Sequence, residues 1–237
     1  MSGARTKTQR ITIFISTFFV ALGVLVTFSR SAWLGVFLGV IALSFGVFRW
    51  GESAQKKHFA LSFLLIMCAL LPFLFLFRET IFPRFDSKTI EREGSISERI
   101  TSLYDAKEVL SRGDILMGVG VGNFTNAVHS LHPTRPIWSV QPAHNVFLLV
   151  TAEGGVPGVI LFLLFLISAT GAILSVGKTK NLEKRLLSLT FFCAFVALLP
   201  SFFLDHFLWT AHFGMLLLFF LLGVVSKSEF DKGKEVS

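Results

Sequence analysis

HNVFLLVTAEGGVPGVILFLLFLISATGAILSV, residues 144–176, is the stretch that decides the fold. A His-Asn pair closes a long polar segment. The next ten or so residues, up to Glu153, are too few to cross a bilayer at ~1.5 Å rise per residue. Gly154, Gly155 and Pro157 then break the segment, and an apolar run follows. The pattern predicts an interfacial or re-entrant segment from 144, a break, and a membrane-crossing helix over 156–176. An imidazole and a carboxamide at such a boundary can meet a molecule whose head is polar and whose tail is not.

Working outward, five more apolar runs have similar length: 11–28, 32–48, 59–77, 187–204 and 207–225. The chain has 237 residues, 53% of them hydrophobic, including 28 Phe. Uncharged runs of ~18 residues or more read as transmembrane helices, because lipid forces every backbone polar group to be satisfied within the segment. The expected fold class is therefore all-α: a polytopic membrane helix bundle of about six spans. The expected division is three helices in 1–77, a partly helical outer loop in 78–143, the interfacial segment and three more helices in 144–226, and a polar tail in 227–237. The first run follows basic residues, as a signal peptide does, but no small-x-small cleavage site follows it, so it is read as a span. Pro72 and Pro200 are expected to kink their helices. Cys68 and Cys193 both lie within spans and form no disulfide framework or metal site.

Net charge is +7, and its placement matters more than its size. Segments 1–10, 49–58, 177–185 and 227–237 hold thirteen Lys/Arg against five Asp/Glu, whereas 78–143 holds eight of each. Basic short loops mark the cytoplasmic side. Both termini are then cytoplasmic and 78–143 extracytoplasmic, as in a multi-pass protein of the cytoplasmic (inner) membrane. This accounts for the basic charge without nucleic acid.

Within the outer loop, Ser95-x-x-Glu98 resembles a capping box, and a helix is expected from there to a stop at Gly113. Ile100, Leu103, Tyr104 and Leu110 share one face of it. Gly118-Val-Gly-Val-Gly122 has no surrounding strand, so it is no dinucleotide fingerprint. Its glycines instead let backbone pass close to another surface. Asn123-Phe-Thr125 matches a glycosylation triplet, a pattern common by chance. His129 and His132 lack a third metal ligand. Glu153 is either capped by amides freed at the break or a polar contact for a ligand. The spans carry almost no other ionisable groups, which excludes most pumps and ion paths.

This topology puts Arg30, Arg99, His144, Asp205 and His206 on the outer face. Arg30 either snorkels to anchor its helix or binds an anion above the lipid. Guanidinium groups hold phosphate oxygens by charge-assisted bonds, and neutral imidazole accepts a proton from a hydroxyl. A carboxylate beside a histidine can orient it.

Four stretches resemble the O-antigen ligase family, which includes related polymerases and protein O-oligosaccharyltransferases. They are Phe28-Ser-Arg-Ser-Ala-Trp33; Ser97-Glu-Arg-Ile100 with the glycine run 118–124; His144-Asn145, nine residues, then Gly155-x-x-Gly158; and Asp205-His-Phe-Leu-Trp-Thr210. The resemblance spans about 25–222. It implies the carboxy-terminal part of a C-type glycosyltransferase that uses no metal and no cofactor. The implied donor is a polyprenyl-diphosphate-linked glycan, and the acceptor is a hydroxyl on a glycan, lipid or protein. By this resemblance Arg30 and Arg99 contact the diphosphate and His144 positions or deprotonates the acceptor. Asn145, Asp205 and His206 add substrate contacts. Family members usually carry more spans. The resemblance therefore implies that amino-terminal helices are lacking, so that the chain is a carboxy-terminal part, a shortened form, or a half served by a partner chain. The competing reading is a non-catalytic glycan-lipid binding or assembly subunit.

Overall fold

The computed structural model describes residues 6–82, 95–177 and 182–235. Among these, secondary structure is helical throughout, without strands. The helices are α1 (Lys7–Val26), α2 (Arg30–Trp50), α3 (Ser53–Leu76), α4 (Arg78–Ile81), α5 (Ser95–Arg112), α6 (Phe124–Leu131), α7 (Val146–Gly177), α8 (Leu182–Leu204), α9 (Phe207–Thr210) and α10 (His212–Glu235). A 3-10 turn lies at Ile137–Ser139.

Five of these, α1, α2, α3, α7 and α8, are long and apolar enough to cross a membrane. Residues 207–225 do not form the sixth continuous span expected. Phe207–Thr210 make a separate turn, Ala211 is extended (φ −95°, ψ 129°), and the apolar part of α10, His212–Gly223, is shorter. Pro72 and Pro200 lie inside continuous helices. The molecule is a multi-pass helical membrane protein with apolar side chains outermost. Phe19, Phe37, Phe45, Leu64, Leu76 and Phe220 are all exposed.

Since lipid solvates apolar side chains as well as a protein interior does, helices in a bilayer associate through close backbone approach rather than through burial of large residues. The seam between α2 and α8, the most extensive helix contact, follows this rule. Gly35, Gly39 and Gly46 of α2 are buried. A methyl group at Gly35 would strike the Ala197 carbonyl, and at Gly46 the Leu189 side chain. Gly35 and Gly39 stand in small-xxx-small spacing. The pairing of 35 with 197 and 46 with 189 makes the helices antiparallel, so the start of α2 lies beside the end of α8.

Two apolar cores meet at Trp209. One joins α7, α8 and α10 around Phe162, Phe202, Leu208 and Leu218. The other joins α5, α6 and the first turns of α7 around Ala106, Val109, Phe124 and Leu149. Helix α5 ends before Gly113 as expected. Its buried face is made by Ser102, Asp105, Ala106 and Val109, while Ile100, Leu103 and Tyr104 are exposed. Short side chains let α5 lie close to α7, which the bulky ones would prevent. The capping box expected at Ser95 involves side chains outside the described residues.

The break in α7 is at Gly155 (φ 66°, ψ −167°). The glycine loop repairs it. Val119 N–H donates to the Ala152 carbonyl and Gly120 N–H to that of Glu153, both at 2.9 Å, while Val156 N–H donates to Ile115 O at 2.9 Å. Pro157 has no N–H, so the Glu153 carbonyl could not be satisfied by a continuous helix. Gly118 takes φ +67°, and a side chain there would run into the Glu153 backbone. The close approach expected of this run is thus to the broken helix itself.

Candidate functional site

Three chain segments converge at one end of the bundle. His144 and Asn145 immediately precede α7. The Asn145 Oδ1 accepts from Leu148 N–H at 3.0 Å and so caps the helix, while its Nδ2 donates to the Phe203 carbonyl at 3.4 Å. The start of α7 is thereby tied to the end of α8. Asp205 and His206 follow α8 directly. Asp205 Oδ1 accepts from the backbone N–H of His206 at 2.7 Å and of Phe207 at 3.4 Å, which turns the chain into α9. The rings of His144 and His206 meet edge to face, with centroids 4.9 Å apart. Asp205 stands with them: one ligand-type atom from each of the three lies within 4.8 Å of the others.

Arg99 arrives on α5. Its carbonyl accepts from the Ser102 hydroxyl at 2.9 Å, and the Ser102 oxygen accepts from the His144 backbone N–H at 3.3 Å. Ser102 is buried, so the link is shielded from water. The half-buried Arg99 acts on the His144 ring electrostatically. Burial, the largest influence, holds the His144 pKa below its ordinary 6.5. Asp205 opposes this, Arg99 lowers it further, and Glu98 pulls it back up. His206 is lowered too, by burial and then by His144, against Asp205. Both rings are consequently neutral at pH 7, with a lone pair on one nitrogen each.

Arg30 is the first residue of α2, behind the cap formed by Ser29, whose Oγ accepts from Ala32 N–H at 3.3 Å. Phe28 at φ 50° reverses the chain after α1. The Trp33 indole N–H donates to Val24 O at 3.0 Å and pins the turn. Through the glycine seam, Arg30 lies at the end of the bundle that carries Asp205. His129 and His132 lie apart from this cluster: His132 Nε2 pairs with Glu108 at 2.8 Å.

Two cavities flank the histidines. A polar one of about 200 Å³ is lined by Glu98, Thr101, Ser102, Asp105, Arg135 and Gln141. Gln141 Oε1 is 3.4 Å from His144 Nε2. An apolar groove of about 800 Å³ runs from Thr210, Trp209 and Glu153 along Leu161 and Phe165 to Phe219. It reaches the cluster through Thr210, whose Oγ1 is 2.7 Å from His206 Nδ1. Glu153 is not capped by the amides of the break. Its carboxylate accepts from the Trp209 indole N–H, and the freed amides go to backbone carbonyls instead.

Ser102, Gln141 and Thr210 were not legible as site residues. Ser102 stands three residues beyond Arg99, but that spacing is informative only once the inward face of α5 is known. Thr210 lies one helical turn after His206, a relation visible only when residues 207–210 are known to coil.

The sequence model of a family described as O-antigen ligase matches residues 15–163, well over half of the chain. The match takes in Arg30, Arg99, the glycine loop, His144 and the break at Gly155, and ends before Asp205 and His206. No curated protein and no solved structure matches the chain.

Proposed function

Since the chain belongs to the O-antigen ligase family, we propose that it transfers a glycan from polyprenyl diphosphate to an acceptor hydroxyl at the extracytoplasmic face of the cytoplasmic membrane. The acceptor oxygen attacks the anomeric carbon from the face opposite the diphosphate. The new C–O bond forms as the bond to the diphosphate oxygen breaks, with inversion. The electron pair leaves on the diphosphate, and the hydroxyl proton goes to the neutral imidazole of His144. A diphosphate leaves readily, so protonation of the leaving group is dispensable; its growing charge is what needs stabilisation. Arg30 and Arg99 supply this by charge-assisted hydrogen bonds of about 1.5–3 kcal/mol each, without a metal. Proton acceptance by His144 contributes about 10²–10⁴ in rate. Asn145, Asp205 and His206 hold the acceptor side in place.

The observation that carries this reading is the position of His144. Its backbone is bonded to Ser102 on the helix of Arg99, its ring neighbours the polar cavity through Gln141, and it packs on His206, which meets the apolar groove through Thr210. That arrangement suits a substrate with a sugar head and a lipid tail. The excess of Lys and Arg in the other loops and at the termini supports an outward-facing site with both termini inside.

The test is transfer in vitro from a defined polyprenyl-diphosphate sugar to a panel of lipid, glycan and protein hydroxyls, with His144→Ala as control. Turnover lost in the variant supports the reading. Binding of the donor without turnover by the wild type, across the panel, favours a glycan-lipid binding or assembly subunit, whether alone or with a partner chain.

A further inference from the structure

Hydrogen-bond accounting in the histidine cluster leaves donor atoms unspent. The Thr210 hydroxyl lies 2.7 Å from His206 Nδ1 and 3.2 Å from the His206 carbonyl oxygen. A hydroxyl has one proton, and a carbonyl can only accept. With the proton on Nδ1, the Thr210 oxygen accepts from Nδ1–H and the His206 lone pair lies on Nε2, the tautomer that a metal bound at Nε2 requires. His144 Nε2 lies 3.4 Å from the Gln141 amide oxygen, a contact that a proton on Nε2 satisfies. His144 Nδ1 is buried and has no hydrogen-bond partner. Asp205 commits Oδ1 to two backbone N–H groups, and these leave Oδ2 unengaged.

Two unprotonated imidazole nitrogens and one carboxylate oxygen are the donor set of an open zinc site, with a fourth place for water. One ligand-type atom from each of the three residues lies within 4.8 Å of the others, against about 3.3 Å between ligands of a tetrahedral Zn²⁺ with bonds near 2 Å. Half-buried side chains between helices can close that gap by rotation. The bond from Thr210 to the far nitrogen of His206 is the outer-shell contact that orients metal-bound histidines. Mg²⁺ and Ca²⁺ prefer all-oxygen sets and do not suit it.

We propose that His144, Asp205 and His206 form a three-ligand site for a transition-metal dication, Zn²⁺ foremost, and that the ion seated there silences the protein. The ion is an inhibitor rather than a reagent, because it takes up the imidazole lone pair that would accept the hydroxyl proton. The silencing rests on the function proposed above; the binding does not.

Binding is tested on the full chain in detergent by calorimetric titration with ZnCl₂ and, separately, MgCl₂, with no glycan or acceptor present. The expected result is one Zn²⁺ per chain and no heat from Mg²⁺. Affinity falls at least about tenfold in His206→Ala and Asp205→Asn, and about tenfold in Thr210→Val. His132→Ala, away from the cluster, binds as the wild type does. Co²⁺ gives the intense visible absorption of a four-coordinate site, which the cluster variants lose. Equal Zn²⁺ affinity in wild type, Thr210→Val and Asp205→Asn, or loss of binding in His132→Ala instead, overturns the site. Transfer activity that persists with Zn²⁺ bound overturns the silencing. A wild type that binds Zn²⁺ but transfers nothing in metal-free buffer supports the site and counts against the proposed function.

Discussion

The indole N–H of Trp209 donates a 2.9 Å hydrogen bond to the carboxylate of Glu153, joining α9 to the last turn of α7 before its break. Glu153 is only 4% exposed. A carboxylate taken out of water must keep its partners, and this one holds together both apolar cores and the rim of the groove. Trp209→Phe keeps most of the ring's packing but removes the donor. It is expected to destabilise the protein by about 1–3 kcal/mol, read as a lowered melting temperature in detergent. Glu153→Gln keeps an acceptor and should cost less; an equal loss in both variants would show that packing, not the bond, matters.

The break in α7 separates two adjacent glycines. Gly155 has positive φ and faces the Leu116 carbonyl, whereas a methyl group at Gly154 meets nothing within 4 Å. Gly155→Ala should cost about 1–3 kcal/mol from backbone strain alone, and more from displacing the loop. Gly154→Ala should stay within about 0.5 kcal/mol. Thermal unfolding of the pair checks this, and similar losses at both sites would refute the interlock.

Arg30→Ala and Arg99→Ala are each expected to lower transfer by roughly 10²–10³-fold, the scale set by removing one donor aimed at developing charge. Membrane insertion and melting temperature should change little. Initial rates with a defined donor decide it, and wild-type rates in both variants would exclude the two guanidiniums from the chemistry.

The pH profile follows from the direction of the histidine shifts. If neutral His144 is the base, transfer should rise through an apparent pKa below 6.5 and then level off. Asp205→Asn removes a raising influence and should move the rise to lower pH; Arg99→Gln, in whatever activity remains, should move it up. Stability obeys the same sign. Both histidines have folded values lower than their unfolded ones, so the unfolded chain binds more protons. Their contribution is fully present above about pH 6.5 and is lost as pH falls toward the folded values. Melting temperature recorded from about pH 7.5 to about pH 5 should therefore drop, and His206→Ala should flatten the drop.

How much of this was legible in the sequence depended on the range of the forces involved. The break after Glu153 and the tight turn at Asp205-His206 are local: glycine and proline chemistry announces the first, and a polar pair between two apolar runs the second. The glycine run 118–122 announced a close approach, but its partner, some thirty residues away, became known only when the carbonyls of Ala152 and Glu153 were followed to their donors. The shared apolar face of Ile100, Leu103 and Tyr104 did not reveal which side of α5 is buried. Next to a membrane, a large apolar side chain has more than one place to go, and closeness between helices is set by Ser102 and Ala106. The long apolar run at 207–225 concealed a turn for a related reason, since composition cannot distinguish a continuous helix from one interrupted at Ala211.

The interlock at Gly155 also bears on biogenesis. The carbonyls of Ala152 and Glu153 take their donors from Val119 and Gly120, so the upper turns of α7 are complete only once that loop is in place to receive them. That segment is synthesised first. The earlier loop thus acts as a jig for the later helix, and a lesion in the glycine run should show itself as misassembly of a span more than twenty residues downstream.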